Sequence, residues 1–490
     1  MKLKDLLKDV EYKAQSAFPR GLDIDIKGVS SDSKTAGKEY LFIAVSGTNF
    51  DGHKFANEAV DKGAVAVVLE KDIALPDNVA RIFVRDSRAA APKIADNFFG
   101  RPIDKLTCIG ITGTNGKTTI SYLMDSMISA AGHKAGVIGT ISYKIGKRLI
   151  PATNTTPGPV ELYGFMGEMV RNSSDYLVME VSSHALDQNR VGGIGFSAAI
   201  FTNLTGDHLD YHKTFDGYFR AKSRLFEGLK DGAYAVINID DEWGKKLVKV
   251  SKGKVVTYGT KLVADYLASD IKLSLDGTRF TINSPKGSLA VNSKLIGLHN
   301  VYNMVASAAC GMSLGFSAGE VKRGLEDMKA VPGRLEPVDC GQPFKIFVDY
   351  AHTDDALYNV LSALKPLIKK KIIVVFGCGG DRDRTKRPRM GKVASGMADL
   401  VIVTSDNPRG EEPQAIADEI AAGISKKNYK IILDRSRAIE EALSTAGVGD
   451  CVLIAGKGHE GYQIFKNTTI AFDDREIAKK ISRSAAMKHL

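Results

Sequence analysis

No apolar run in this sequence approaches the ~18 consecutive residues that a bilayer-crossing helix needs, which excludes a helical membrane protein. The opening residues, Met1-Lys2-Leu3-Lys4-Asp5, are charged too early to hold the apolar segment of a secretory signal, so a cytoplasmic location is expected. Cysteine is scarce as well: Cys108, Cys310, Cys340, Cys378 and Cys451 are odd in number, widely spread and include no Cys-x-x-Cys pair. That pattern argues against a disulfide framework or a thiolate zinc site, and Cys108 and Cys451, in apolar strand-like runs, read as buried thiols. Aromatic residues are only 8% of the chain and do not interleave with its lysines and arginines. The formal net charge of +10 is therefore not organised as a nucleic-acid platform, and small anionic substrates are expected instead of nucleic acid. The sequence also lacks internal repeats and low-complexity tracts.

What is present is the composition of a globular protein, 44% hydrophobic and 25% charged, over 490 residues. At about 150 residues per domain, that length suggests about three domains. Gly100-Arg101-Pro102 and Ala330-Val331-Pro332-Gly333-Arg334 mark the boundaries, giving units 1–103, 104–331 and 332–490. The first unit carries strand patterns at 40–45, 64–69 and 81–84, a helix near 54–62, and polar turns at 30–33 and 47–52. In the second, strands at 106–111, 135–141, 175–180, 196–202 and 233–239 alternate with helices, which predicts an α/β fold with a mainly parallel sheet. The stretch 254–295 reads as an antiparallel addition. The third unit resumes the alternation with strands at 345–349, 371–376, 399–404, 430–433 and 451–455. Several of these end in loops rich in glycine or polar residues, where ligands of open α/β sheets bind.

The most specific motif is Thr112-Gly113-Thr114-Asn115-Gly116-Lys117-Thr118-Thr119, between an apolar strand and an amphipathic helix. Two glycines let backbone N–H groups approach a polyphosphate, Lys117 supplies charge to its distal end, and the Thr118 hydroxyl can bind Mg²⁺. The helix follows from Ile120, Leu123, Met124, Met127, Ile128 and Ala131, spaced on one face, with Gly132 as its stop. The usual motif has glycine five positions before Gly116; here Ile111 stands there. Glu180 closes the strand 175–180, where a parallel sheet would bring it beside the phosphate loop as a magnesium ligand. After the next strand, His208 in Asn203 to Asp210 offers a further ligand or positioning group.

Thr112 to Thr119, Glu180-Val181-Ser182-Ser183-His184, Asn203 to Asp210, Ala221-Lys222, His299-Asn300-Val301-Tyr302-Asn303 and Asp349-Tyr350-Ala351-His352 together resemble the Mur ligases of peptidoglycan synthesis. The resemblance runs in order along nearly the whole chain and accounts for the altered phosphate loop. It implies an N-terminal α/β module for a uridine nucleotide, a central P-loop ATPase and a C-terminal Rossmann-like domain that delivers an amino acid. ATP and Mg²⁺ are the implied cofactors, and a monomer is expected. The implied ATP contacts are Gly113, Thr114, Asn115, Gly116, Lys117, Thr118, Thr119, Asn300, Asn303, Arg334 and Asp349, with the two asparagines on the adenine side. Lys117, Glu180, His208 and Lys222 are the implied catalytic set, and Thr118, Glu180, His208 and Lys222 the metal set. Read alone, Lys222 is an ordinary helix-surface lysine; the resemblance implies instead that it is carbamylated, which converts a cation into a carboxylate-like ligand.

Asn154-Thr155-Thr156-Pro157 and Ser182 to Arg190 look like the branch that adds the third peptide residue to UDP-N-acetylmuramoyl-L-alanyl-D-glutamate. That match implies Asn154, Thr155, Thr156, Ser182, Gln188 and Arg190 at the peptide end of this precursor, and Ser33, Thr48, Asn49 and Phe50 at its uridine end. Asp406-Asn407-Pro408-Arg409 resembles the signature of meso-diaminopimelate addition, with Arg382, Gly456 and Glu460 completing the pocket. An arginine can take the second carboxylate of diaminopimelate bidentately and a glutamate its ammonium, whereas lysine lacks that carboxylate. Lysine is the first alternative substrate, a folate polyglutamate synthetase the nearest rival family, and a nucleic-acid-linked ATPase the rival of a different class. At Asp354 many relatives carry proline; both residues suit a helix N-terminus, so no functional change is expected.

Overall fold

Apolar runs and amphipathic stretches resolve into three main sheets in a computed structural model that describes residues 1–14, 21–47, 51–206 and 209–488. In the first sheet Gly28–Ser30, Tyr40–Ile43, Ala64–Leu69 and Ala80–Val84 run parallel, and Tyr12–Ala14 pairs antiparallel on the far edge. Helix Ser87–Phe98 covers it, burying Ala90, Ala91 and Ile94.

The second sheet has Thr107–Thr112 at its centre, flanked in parallel by Tyr176–Glu180 and Phe196–Phe201. Their register places Glu180 beside Ile111 and Phe201 beside Thr112, so three strand ends converge where the phosphate loop begins. Helix Lys117–Ala130 buries Ile120, Leu123, Met124, Met127 and Ile128 on one face, together with helix Leu298–Ser313. Each such side chain contributes roughly 1.5–3 kcal/mol when removed from water. Helices Pro159–Arg171 and Phe215–Glu227 cover the opposite face.

Two features of this sheet differ from the sequence reading. Lys254–Gly259 joins in parallel, because helix Glu242–Val248 supplies a crossover; the antiparallel ladder is formed by Tyr266–Ser274, Gly277–Ser284 and Gly287–Ser293. At the other edge, Ser142–Ile145 and Arg148–Pro151 form a hairpin about Gly146, whose φ of +58° suits the tight turn.

The third sheet is parallel through Lys345–Asp349, Cys451–Ala455, Ile372–Phe376, Leu400–Val403 and Tyr429–Ile431, with Glu336–Pro337 antiparallel at its edge. A separate hairpin, Tyr462–Phe465 with Thr468–Ala471, stands beside it. The five cysteines are free thiols, and all but Cys340 are buried. Among the described residues no helix is long and apolar enough to cross a membrane.

Candidate functional site

Gly113 and Gly116 hold φ of +144° and +93°, and neither has room for a side chain. A Cβ on Gly113 would strike the Thr202 hydroxyl, and one on Gly116 the amide oxygen of Asn303. The loop is thus bare backbone pressed against its neighbours, as close approach of a phosphate requires. Asn203 braces it: its carbonyl accepts from the Thr114 N–H at 2.8 Å, and its Oδ1 accepts from the Asn115 N–H at 3.0 Å. The Lys117 ammonium folds back to donate to the carbonyls of Gly113 and Thr114, at 3.0 and 2.8 Å. Thr118 and Thr119 are buried at the first turn of the helix.

Glu180 is 1% exposed, and its carboxylate accepts from the Thr140 N–H at 2.9 Å and the Thr140 hydroxyl at 3.0 Å. Lys222 is not a surface lysine. Helix Phe215–Glu227 turns Tyr218, Ala221, Lys222 and Leu225 inward, and Lys222 is 1% exposed. Its ammonium donates to the Gly113 carbonyl at 2.8 Å and lies 4.5 Å from the centre of the Tyr218 ring. Position 208 lies outside the described residues, as do Thr48, Asn49 and Phe50. Among the described residues no group of three or more His, Cys, Asp or Glu side chains could hold a metal, so Glu180 there would need oxygen donors of other kinds.

Beyond Glu180, Thr156 donates its hydroxyl to the Glu180 carbonyl at 2.8 Å and accepts from the Ser182 N–H at 3.1 Å. Arg190 donates to the Thr156 carbonyl at 2.8 Å and grips Gln188 Oε1 from Nε and Nη2, at 3.1 and 2.8 Å. Burial lowers the pKa of this guanidinium. Thr155 meets Thr140 hydroxyl to hydroxyl at 3.1 Å, and the Asn154 backbone is held by the Tyr143 hydroxyl. These residues form one connected patch. Ser33 is buried in the first unit, where its hydroxyl donates to Glu58 at 2.9 Å.

The junction with the third unit is made by Arg334, which donates to the Thr118 hydroxyl at 3.2 Å and stacks 4.9 Å from the centre of the Tyr350 ring. Asp349 is buried and accepts from the N–H groups of Leu335 and Ala351, at 2.6 and 2.8 Å. Burial raises its pKa, against the opposing pull of Arg334 and those N–H groups. Asn303 donates to Asn300 Oδ1 at 3.0 Å, and Asn300 in turn donates to the Ile296 carbonyl. His299 beside them is driven down to about 4 by burial and by Arg334.

In the third unit Arg409 takes φ of +52°, and its Nη1 donates to the Gly380 carbonyl at 2.9 Å. Asn407 donates to Glu460 Oε2 at 2.9 Å, while Gly456, with φ of +107°, donates its N–H to the Asp349 carbonyl at 3.1 Å. A cavity of about 1650 Å³ opens between the two units. Arg382, Asp406, Asn407, Arg409, Gly456 and Glu460 line one side; Thr140, Asn154 and Thr155 line the other. Pro408 is adjacent in chain, but Lys117, Gln188, Arg190 and Ser33 do not line this space.

Three segments match family models: the Mur ligase family catalytic domain over residues 25–98, the Mur ligase middle domain over 111–311, and the Mur ligase glutamate ligase domain over 333–458. A relative from Syntrophomonas wolfei subsp. wolfei, named UDP-N-acetylmuramoyl-L-alanyl-D-glutamate–2,6-diaminopimelate ligase, is 43% identical over 488 residues, covering 99% of each chain. The chain belongs to the Mur ligase family. A ligase of the same name from Caldanaerobacter subterraneus subsp. tengcongensis is 45% identical, over 98% of this chain and 99% of its own. A solved structure bearing that name has 34% identity and a TM-score of 0.71, with 99% of each chain covered.

Within this Mur ligase, two site residues escaped the sequence reading. Asp355, on the first turn of helix Asp354–Leu364, accepts through Oδ2 from the Asn115 amide and the Thr205 hydroxyl, each at 2.9 Å. Nothing local in sequence signals a contact between residues so far apart. Lys457 is fully buried among Asp406, Asn407 and Glu460. Its flanking glycines, Gly456 and Gly458, were the available signal, since a lysine between two positive-φ glycines can turn inward. Asp354, where proline was expected to be equivalent, forms a 2.9 Å ion pair with Arg389 that proline could not make.

Proposed function

We propose that this Mur ligase joins meso-diaminopimelate to the D-glutamyl carboxylate of UDP-N-acetylmuramoyl-L-alanyl-D-glutamate, with conversion of ATP to ADP and phosphate. The observation that carries this reading is the shared cavity, which brings Arg382, Arg409 and Glu460 opposite Asn154 and Thr155. The names of relatives that match over nearly the full chain support the same substrates. The units 1–103, 104–331 and 332–490 each enclose one main sheet and one matched segment, which supports their division into precursor, ATP and amino-acid domains. A cytoplasmic monomer is the form in which we expect the enzyme to act.

The chemistry follows from what the residues can hold. Bare backbone at Gly113 and Gly116 suits the phosphates, and Lys117 exchanges its two carbonyl partners for them. The precursor carboxylate attacks the γ-phosphorus, the bond to the β–γ bridging oxygen breaks, and ADP leaves. The amine of the incoming amino acid then attacks the acyl carbon, phosphate departs, and the amine loses a proton as the amide forms. The protein's work is positioning and charge stabilisation, with no nucleophile of its own. Arg190, Thr156 and Ser182 present the precursor's peptide end, and Asn300 and Asn303 stand on the adenine side. Arg334 and Asp349 complete the ATP site across the junction, and Ser33 with Thr48, Asn49 and Phe50 holds the uridine end.

By the chemistry of its donors, a magnesium ion would be held here by oxygens of Glu180 and Thr118, with His208 as a further ligand, and Lys222 would add two oxygens as a carbamate in place of the ammonium that now reaches the Gly113 carbonyl. Bound Mg²⁺ would neutralise charge on the phosphoryl group in transfer. Arg409 and Arg382 take the distal carboxylate of diaminopimelate, and Glu460 its ammonium. Release of ADP on mixing protein, ATP, precursor and diaminopimelate tests the proposal, and its absence would refute it.

A further inference from the structure

Lys457 has no role in the reaction as just described, yet it is a fully buried charge bonded to Asp406 and Glu460, which line the amino-acid pocket. Its side chain is 0% exposed, and its ammonium stands 3.4 Å from Asp406 Oδ1, 3.2 Å from Asn407 Oδ1 and 3.1 Å from Glu460 Oε2. Three acceptors for three N–H bonds satisfy it fully. The Tyr462 ring, its centre 5.4 Å away, covers the group further. The Glu460 N–H donates to the Lys457 carbonyl at 2.9 Å, so the same turn sets the backbone of the glutamate.

The consequence is at Glu460. Both protein donors to its carboxylate, Lys457 and Asn407, sit on Oε2. Among the described residues no donor reaches Oε1, and Glu460 lines the cavity. Asp406 and Glu460 would otherwise be two carboxylates converging on one space, where mutual repulsion would rotate at least one away.

We propose that Lys457 is the positioning residue of the amino-acid pocket: it fixes Glu460 and the Asp406-Asn407 turn so that one glutamate oxygen is free for the distal ammonium of the incoming amino acid. This rests on the functional reading above. The role is distinct from binding, because Lys457 acts through Glu460.

Steady-state kinetics on the full chain with K457M, K457R, E460Q and the K457M/E460Q double variant test it. K457M should raise KM for diaminopimelate by about 10–100-fold, with KM for ATP and for the precursor within about 2-fold of the unmodified enzyme. K457R, which keeps the charge, should recover much of that loss. In the E460Q background the K457M effect should shrink to a few-fold, since the group it positions is already altered. An unchanged KM for diaminopimelate in K457M, an equal rise in all three KM values, or full additivity with E460Q would each overturn the inference. Failure of the unmodified protein to release ADP in response to diaminopimelate would instead overturn the functional reading, and this inference with it.

Discussion

Lys117 donates to the carbonyls of Gly113 and Thr114, so its charge is held at the place where phosphates would replace those partners. Lys117→Ala should lower kcat by at least about 10²–10³-fold while leaving the melting temperature nearly unchanged, measured by ADP release and by calorimetry. Asp349 poses a different kind of dependence. Each carboxylate oxygen accepts one N–H, from Leu335 and from Ala351. In Asp349→Asn one of those positions becomes an NH₂ facing a buried N–H, which should cost about 1–3 kcal/mol of stability. A denaturant titration showing no loss would mean that the carboxylate is not needed as a double acceptor. The role of Asp349 as an acceptor was not legible in the sequence, where only its place in a motif could be read.

At the scale of elements, helix Asp354–Leu364 joins Arg334 in coupling two units, because Asp355 on its first turn receives both Asn115 and Thr205. Asp355→Ala should reduce kcat by roughly 10-fold with smaller effects on the KM values, since misplacement acts on alignment rather than on binding. An unchanged kcat would show that the two hydrogen bonds do not set the alignment. Elements like this one were legible from spacing: the apolar period after Lys117 is the period of the buried face, and the strands at 175–180 and 451–455 match the observed ones within a residue. Short edge elements were not. In the hairpin, Ser142–Ile145 buries only Tyr143 and Ile145 on alternate positions and Arg148–Pro151 is mostly exposed, because an outer strand needs no continuous apolar face. Lys222 shows the same limit on a helix: its charge suggested solvent, but its position on the inward stripe with Tyr218 and Leu225 decided its burial. Long-range partners such as Asn115 and Asp355 are set by the topology of three sheets and have no local trace.

For the molecule as a whole, the junction between units carries a pH dependence. His299 and His459 both stand near Arg334, and each has its pKa driven down to about 4, first by burial and then by that cation. In the unfolded chain a histidine titrates near 6.5. Above that value both states are neutral and stability is full; as pH falls from about 6.5 toward 4 the unfolded chain gains protons first, so stability is lost across that window. The melting temperature should therefore decline between pH 6.5 and 4, and decline less in a variant with both histidines replaced by glutamine. An equal decline in the two proteins would assign the effect to other groups.

On the proposed function, the inter-unit cavity selects an amino acid with a second carboxylate for attachment to the nucleotide-linked precursor. Measuring ADP release with ATP and the precursor present, with meso-diaminopimelate compared against L-lysine, reads that selection. Turnover is expected only when precursor and amino acid are both supplied, with kcat/KM for diaminopimelate at least about 100-fold above that for lysine, because lysine leaves Arg409 and Arg382 without a carboxylate. Equal use of the two amino acids, or ADP release that ignores both, would contradict it.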